Sequence, residues 1–232
     1  MQKVFTQTSG ATPDTRSEAV SKMTRALLVC GIIAGPVYTV VGLLQAFTRP
    51  GFDITRHPLS LLSNGDLGWI QVANFVATGL LLIAGAVGMR RALPSGRGRT
   101  WGPLLIGVYG LGMIGAGIFK SDPAPGFPIG TPADATAIST SGLLHFAMGG
   151  IGFLGLIVGC FIFARRFASL QQRSWALYSV ITGVVFFAAF IGIASGAGNR
   201  WTVLGFWIGI LLGWSWISSL SARLRGELAV VK

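Results

Sequence analysis

The chain has 232 residues, of which 52% are hydrophobic and only 11% charged, with a mean hydropathy of +0.67. So little charge cannot cover the surface of a water-soluble protein of this size, which makes lipid the solvent for most of the chain. The net charge of +11 does not read as a nucleic-acid footprint, because the basic residues gather where a membrane protein keeps them, in alternate connecting segments.

The first 25 residues are rich in Ser and Thr and are expected to form a flexible cytoplasmic segment. Within it, Thr15-Arg16-Ser17-Glu18 has the spacing of a capping box, so a helix can start there and run into the membrane. Six stretches without Asp, Glu, Lys or Arg follow: Ala26–Phe47, Trp69–Met89, Trp101–Phe119, Gly142–Ala164, Trp175–Ser195 and Trp201–Leu220. Each is close to the roughly 20 apolar residues that cross a bilayer as a helix. The predicted fold is therefore all-α, a six-helix transmembrane bundle over residues 26–220 with a cytoplasmic tail at 221–232. Fourteen of the eighteen Lys and Arg lie before helix 1, after helix 6, and in the second and fourth connections. Basic residues resist translocation, so that side is expected to be cytoplasmic, with both termini inside. Its basicity also predicts attraction to anionic inner-leaflet lipid. Cys30 and Cys160 fall near cytoplasmic helix ends and are expected to stay reduced.

Trp69, Trp101, Trp175 and Trp201 mark helix ends as interfacial anchors do. Glycines at four-residue spacing (Gly31/Gly35, Gly155/Gly159, Gly192/Gly196 and Gly205/Gly209/Gly213) provide small ridges for close helix packing. Packing inside one bundle explains them; a monomer and a homodimer both fit.

Chemistry-bearing residues concentrate on the other side. The first and second outer connections, Thr48–Gly68 and Lys120–Ser141, run to about twenty residues each, and loops so long in a compact domain are usually functional or else disordered. Both contain Pro-Gly-Phe, at Pro50–Phe52 and Pro125–Phe127, which hints at a duplicated helical hairpin. Leu59, Leu61, Leu62 and Leu67 among polar groups suggest that the first loop lies in the membrane interface. Asp66 is placed to cap helix 2. On that helix Gln71, Asn74 and Thr78 share one face, and buried amides need partners, so the face is expected to point into the bundle. His145 sits one turn inside helix 4, and Asp122 follows helix 3. If helices 2, 3 and 4 are neighbours, these groups surround a polar cavity. The candidate pocket is Asp53, His57, Ser60, Gln71, Asn74, Asp122 and His145. No carboxylate or base lies at mid-depth in a span, which disfavours proton-coupled transport.

Three functions fit this pattern. One is a non-hydrolytic membrane protein whose outward-facing pocket takes a lipid or small amphipathic ligand, with no cofactor. A second is a zinc-dependent membrane lipid hydrolase using His57, His145 and an Asp such as Asp122; His nitrogen and Asp oxygen suit zinc, although no HxxxH or HExxH spacing is present. Ser60, three residues after His57, is a nucleophile candidate in that reading. The third is a scaffold or assembly factor whose cytoplasmic Arg90 and Arg91 bind a partner.

The run Gly35-Pro36, Phe47-Thr-Arg-Pro-Gly-Phe-Asp53, His57-Pro-Leu-Ser60, Gly68-Trp69, Asn74-Phe75 and Gly79 resembles a bacterial family of six-helix membrane proteins known as domain of unknown function 998. Asp122-Pro123, Pro125-Gly126-Phe127-Pro128 and Leu144-His145 are similar to it as well. The resemblance spans about Leu27–Ser219 and implies a six-helix bundle in a bacterial inner membrane, without an activity. A remoter likeness is to alkaline-ceramidase-like membrane hydrolases, which combine Ser, Asp and three zinc-binding His; this chain has two His and one helix fewer.

Overall fold

The computed structural model describes residues 15–135, 137–195 and 199–230. It consists of six α-helices: α1 (Thr15–Thr48), α2 (Gly68–Ala92), α3 (Trp101–Ile118), α4 (Thr140–Ser169), α5 (Arg173–Ala194) and α6 (Arg200–Val230), with one 3-10 helix (Leu59–Ser63) in the first loop. All six α-helices are long and apolar enough to cross a membrane. In hydrocarbon a helix satisfies its own backbone, so runs this apolar have no cheaper conformation. The all-α expectation is met, with no strands among the described residues. α1 already begins at Thr15, the first residue of the capping-box sequence.

Local signals set the helix ends. The Ser139 hydroxyl caps α4 by accepting from the Gly142 amide at 3.0 Å. The Asn199 side chain caps α6 by accepting from the amides of Trp201 and Thr202. Asp66, in contrast, does not cap α2. That helix starts at Gly68 behind Leu67, without a side-chain cap. The reason is close packing: a side chain at Gly68 would run into the Ser63 carbonyl, so the 3-10 helix occupies the space beside the first turn. Asp66 stays exposed in the preceding turn.

The helices form a closed ring. Each packs on its neighbours in sequence, and α6 returns to pack on α1. Glycine pairs let the backbones meet. A methyl on Gly85 of α2 would stand 2.7 Å from the Gly31 Cα of α1, and one on Gly112 of α3 would stand 2.7 Å from the Gly152 Cα of α4. Without a solvent-driven hydrophobic force between helices in lipid, such contact surfaces supply much of the association energy. Gly209 and Gly213 of the α6 ridge likewise abut Ala189, Phe186 and Leu156, whereas Gly205 faces open space. Gly196, from the expected Gly192/Gly196 pair, lies outside the described residues.

Polar links close the seam between the first and last helices. The Ser218 hydroxyl donates to the Ile32 carbonyl at 2.8 Å, and the Arg25 guanidinium donates to the Leu228 carbonyl at 2.6 Å. Next to this seam, the Trp216 indole donates to the Ser179 hydroxyl at 3.0 Å. Arg25 and Arg223 lie at one end of the ring; both long loops lie at the other.

Candidate functional site

The two long loops fold into one cap. Arg49-Pro50-Gly51-Phe52 and Ala124-Pro125-Gly126-Phe127 are the same turn. In each, the Phe amide donates back to the first carbonyl, at 3.2 and 2.8 Å. The central glycines have φ of +81° and +82°. This is the type II geometry, with Pro presetting the first corner and Gly taking the positive φ of the second. The repeated Pro-Gly-Phe is thus a repeated shape, and the copies touch: the Phe52 and Phe127 rings meet edge to face at 5.2 Å, and His57 packs on both. Arg49 completes the clasp. Its guanidinium lies 5.2 Å from the centre of the Phe127 ring and donates to the Leu62 and Asn64 carbonyls. Burial lowers the pKa of Arg49 from its ordinary value, and the charge of Asp66 opposes that shift.

His57 is 4% exposed, and backbone occupies both its ring nitrogens. The Asp53 amide donates to Nδ1 at 3.0 Å, so Nδ1 carries no proton and Nε2–H donates to the Pro125 carbonyl at 3.2 Å. In this arrangement His57 has no lone pair for a metal and none for the Ser60 hydroxyl. Asp53 is exposed and forms a local turn, accepting from the Thr55 hydroxyl and amide. These two bonds hold its carboxyl below the usual carboxylate range. Among the described residues, no three His, Cys, Asp or Glu are grouped so as to hold a metal ion.

The first loop folds in against the helices. Leu59, Leu61 and Leu62 turn inward and are buried, while Leu67 stays exposed. The Trp207 indole of α6 donates to the Ile54 carbonyl at 3.1 Å and ties the loop to the last helix. Ser121, which no motif in the sequence marks, joins the second loop to the 3-10 helix. Its hydroxyl donates to the Ser60 carbonyl and accepts from the Asn64 amide.

Beneath this cap is a cavity of about 300 Å³ walled by all six helices. Most of its wall is aromatic or aliphatic: Tyr38, Phe75, Tyr109, Phe153, Trp207 and Ile210 among others. Besides the buried tyrosines Tyr38 and Tyr109, its polar lining comes from Ser60, Ser121, Asp122 and His145 at the capped end. The His145 Nδ1 lies 2.8 Å from both the Ala116 and Phe119 carbonyls, so Nδ1 carries the proton and Nε2 is left over. These carbonyls belong to the last turn of α3, where helix carbonyls lack intrahelical partners. One Asp122 oxygen accepts from the Ser139 amide at the start of α4, where the helix dipole favours negative charge. Gly142 packs directly beside it, and a side chain there would push the carboxylate aside.

The candidate set therefore divides. Ser60, Asp122 and His145 converge on the cavity; Asp53 and His57 build the cap. Gln71 and Asn74 are buried, but against α1. The Gln45 amide donates to the Gln71 carbonyl oxygen at 2.8 Å, and the Asn74 amide donates to the Tyr38 carbonyl at 3.1 Å. The face they share with Thr78 points into the bundle as expected, yet it serves the α1–α2 contact and only Phe75 of α2 reaches the cavity.

A family model described as protein of unknown function (DUF998) matches residues 32–223. The chain belongs to the DUF998 family. The match takes in both Pro-Gly-Phe turns, the cavity, the second half of α1 and all of α6 up to Arg223. No curated protein and no solved structure matches the chain. As a DUF998 member with six apolar helices, it is a multi-pass membrane protein.

Proposed function

We propose that this DUF998 protein binds a lipid-like or small amphipathic molecule in the ring cavity, from the outer face of a bacterial inner membrane, with both termini in the cytoplasm. The observation that carries the reading is the lining: a mostly apolar chamber whose Ser, Asp and His side chains gather at the capped end. Sites for small molecules are built this way, with apolar walls for affinity and a few polar groups for orientation. The polar end is rich in acceptors. Asp122 brings a carboxylate, His145 brings Nε2, and no Lys or Arg lines the cavity. Such a corner suits a head that donates hydrogen bonds or carries positive charge, and it repels phosphate or carboxylate.

The hydrolase reading draws no support from His57, whose ring is spent on the cap. The test is a thermal-stability screen of the purified protein against amines, alcohols and acids carrying alkyl chains. At a hundred times Kd a ligand for the folded state adds about 2.7 kcal/mol, or roughly 5–10 °C in a chain of this size. Amines or alcohols should stabilise the protein, and Gly149→Leu should abolish the shift, because a side chain at Gly149 enters open space in the cavity wall. A screen in which no amphiphile stabilises the protein, or in which fatty acids do so best, sinks the reading.

A further inference from the structure

The basic end of the bundle holds a second hollow, separate from the ring cavity. It is a groove of about 470 Å³ on the outer surface between α2 and α3. Its walls are apolar, with Val87, Leu104, Gly107 and Leu111 along its length and Arg90, Arg91 and Thr100 at one end. The α3 side runs from Thr100 to Leu111, roughly 16 Å at the helix rise of 1.5 Å per residue. Leu104 and Leu111 are 51% and 56% exposed, so this wall faces the surroundings of the bundle rather than its core. The gap is real at its middle: a side chain added at Gly107 would meet only the Ala86 methyl, at 3.9 Å.

The arginines of this end are not alike. Arg25, Arg99 and Arg166 donate to the Leu228, Leu93 and Arg97 carbonyls, and Arg223 pairs with Glu227. Those four hold the structure together. Arg90 and Arg91 have no hydrogen-bond or ion-pair partner among the described residues, and they stand together where the apolar groove ends. Helix-dipole stabilisation favours cations in the last turn of α2, but it gives no reason for a lipid-facing channel to end at that pair.

We infer that the α2–α3 groove is a binding site for an anionic phospholipid, with an acyl chain along Leu104, Gly107 and Leu111 and the phosphate on Arg90 and Arg91. The combination is what an anionic lipid needs: hydrocarbon contact at membrane depth, then two guanidinium groups at headgroup level. A zwitterionic lipid gains the same acyl contact but far less from the charges. This site is independent of the ring cavity and of any ligand there.

The test uses the full chain in nanodiscs of equal phosphatidylglycerol and phosphatidylcholine with matched acyl chains, followed by native mass spectrometry of the lipid that stays bound. Wild type is expected to retain phosphatidylglycerol preferentially. The Arg90→Gln/Arg91→Gln protein should lose that preference by about thirtyfold, from about five- to sixfold per guanidinium. Gly107→Leu, which fills the groove and leaves the charges, should also lose it. Arg165→Gln/Arg173→Gln removes the same charge from exposed positions outside the groove and should retain it. Equal retention of both lipids by wild type overturns the inference. So does an equal loss in the Arg165/Arg173 control, which would make the effect one of net charge. Displacement of the bound lipid by soluble glycerol phosphate alone would overturn the part assigned to the groove.

Discussion

At the scale of single residues, the molecule spends its most reactive-looking groups on architecture. His57 and Arg49 together satisfy backbone carbonyls of both loops, and both are nearly buried, at 4% and 9% exposure. Replacing Arg49 by Ala strands two carbonyls and is expected to cost about 2–3 kcal/mol, seen as a lower melting temperature in detergent. His57→Phe preserves the ring packing and removes both hydrogen bonds, for a loss of about 1–3 kcal/mol. Elemental analysis of the same variant is expected to match wild type; release of a stoichiometric metal would restore His57 as a ligand. Asp53 adds a pH effect of known sign. Its carboxyl lies below the usual range because the Thr55 hydroxyl and amide bond the charged form. A folded-state value that is depressed gives stability above the ordinary carboxylate range, and that stability is lost as pH falls through the depressed value. Asp53→Asn should therefore flatten the acid side of the melting profile. The sequence marks Asp53 and His57 as pocket candidates, and His57 as a possible zinc ligand, because they are polar residues in a long loop. Which of them face a cavity depends on tautomers and turns that spacing does not encode.

At the scale of elements, the sequence was most informative where lipid dictates the answer. Unbroken apolar runs can only be helices in hydrocarbon, so all six were legible to within a few residues at most ends. The polar face of α2 was legible as well, since Gln71, Asn74 and Thr78 had to find partners; that the partner would be Gln45 of α1 was not, because it depends on which helix lies alongside. The glycine spacing marked close contacts without saying which glycines meet. The structure sorts them, and the sorting is testable. Gly85→Leu pushes a side chain into the Gly31 backbone and should cost well over the roughly 1–3 kcal/mol usual for overpacking, because backbone cannot yield as a side chain does. Gly205→Leu enters open space and should leave the fluorescence-detected melting temperature near wild type. Equal effects would mean that the Gly31–Gly85 contact does not set the α1–α2 spacing.

At the scale of the whole molecule, charge and cavities are divided between two ends: most of the arginines and the α2–α3 groove at one, the clasped loops and ring cavity at the other. The expected orientation follows from the basic end resisting translocation. In a Cys30→Ala/Cys160→Ala background, an impermeant maleimide added to intact cells should label Asp66→Cys and Asp134→Cys but not Arg165→Cys, and the reverse pattern would invert the assignment. The ring itself was beyond the sequence, because a six-helix count does not say that the last helix seals against the first. That closure has a consequence for how the protein is made. α6 supplies Phe206, Trp207 and Ile210 to the cavity wall and the Ser218 bond to Ile32. A growing chain emerging at about 5–20 residues per second leaves α1 waiting on the order of ten seconds or more for that partner. Until then its glycine-lined seam is open to whatever else is in the bilayer, which makes the interval before the sixth helix arrives the stage of biogenesis most exposed to mispairing.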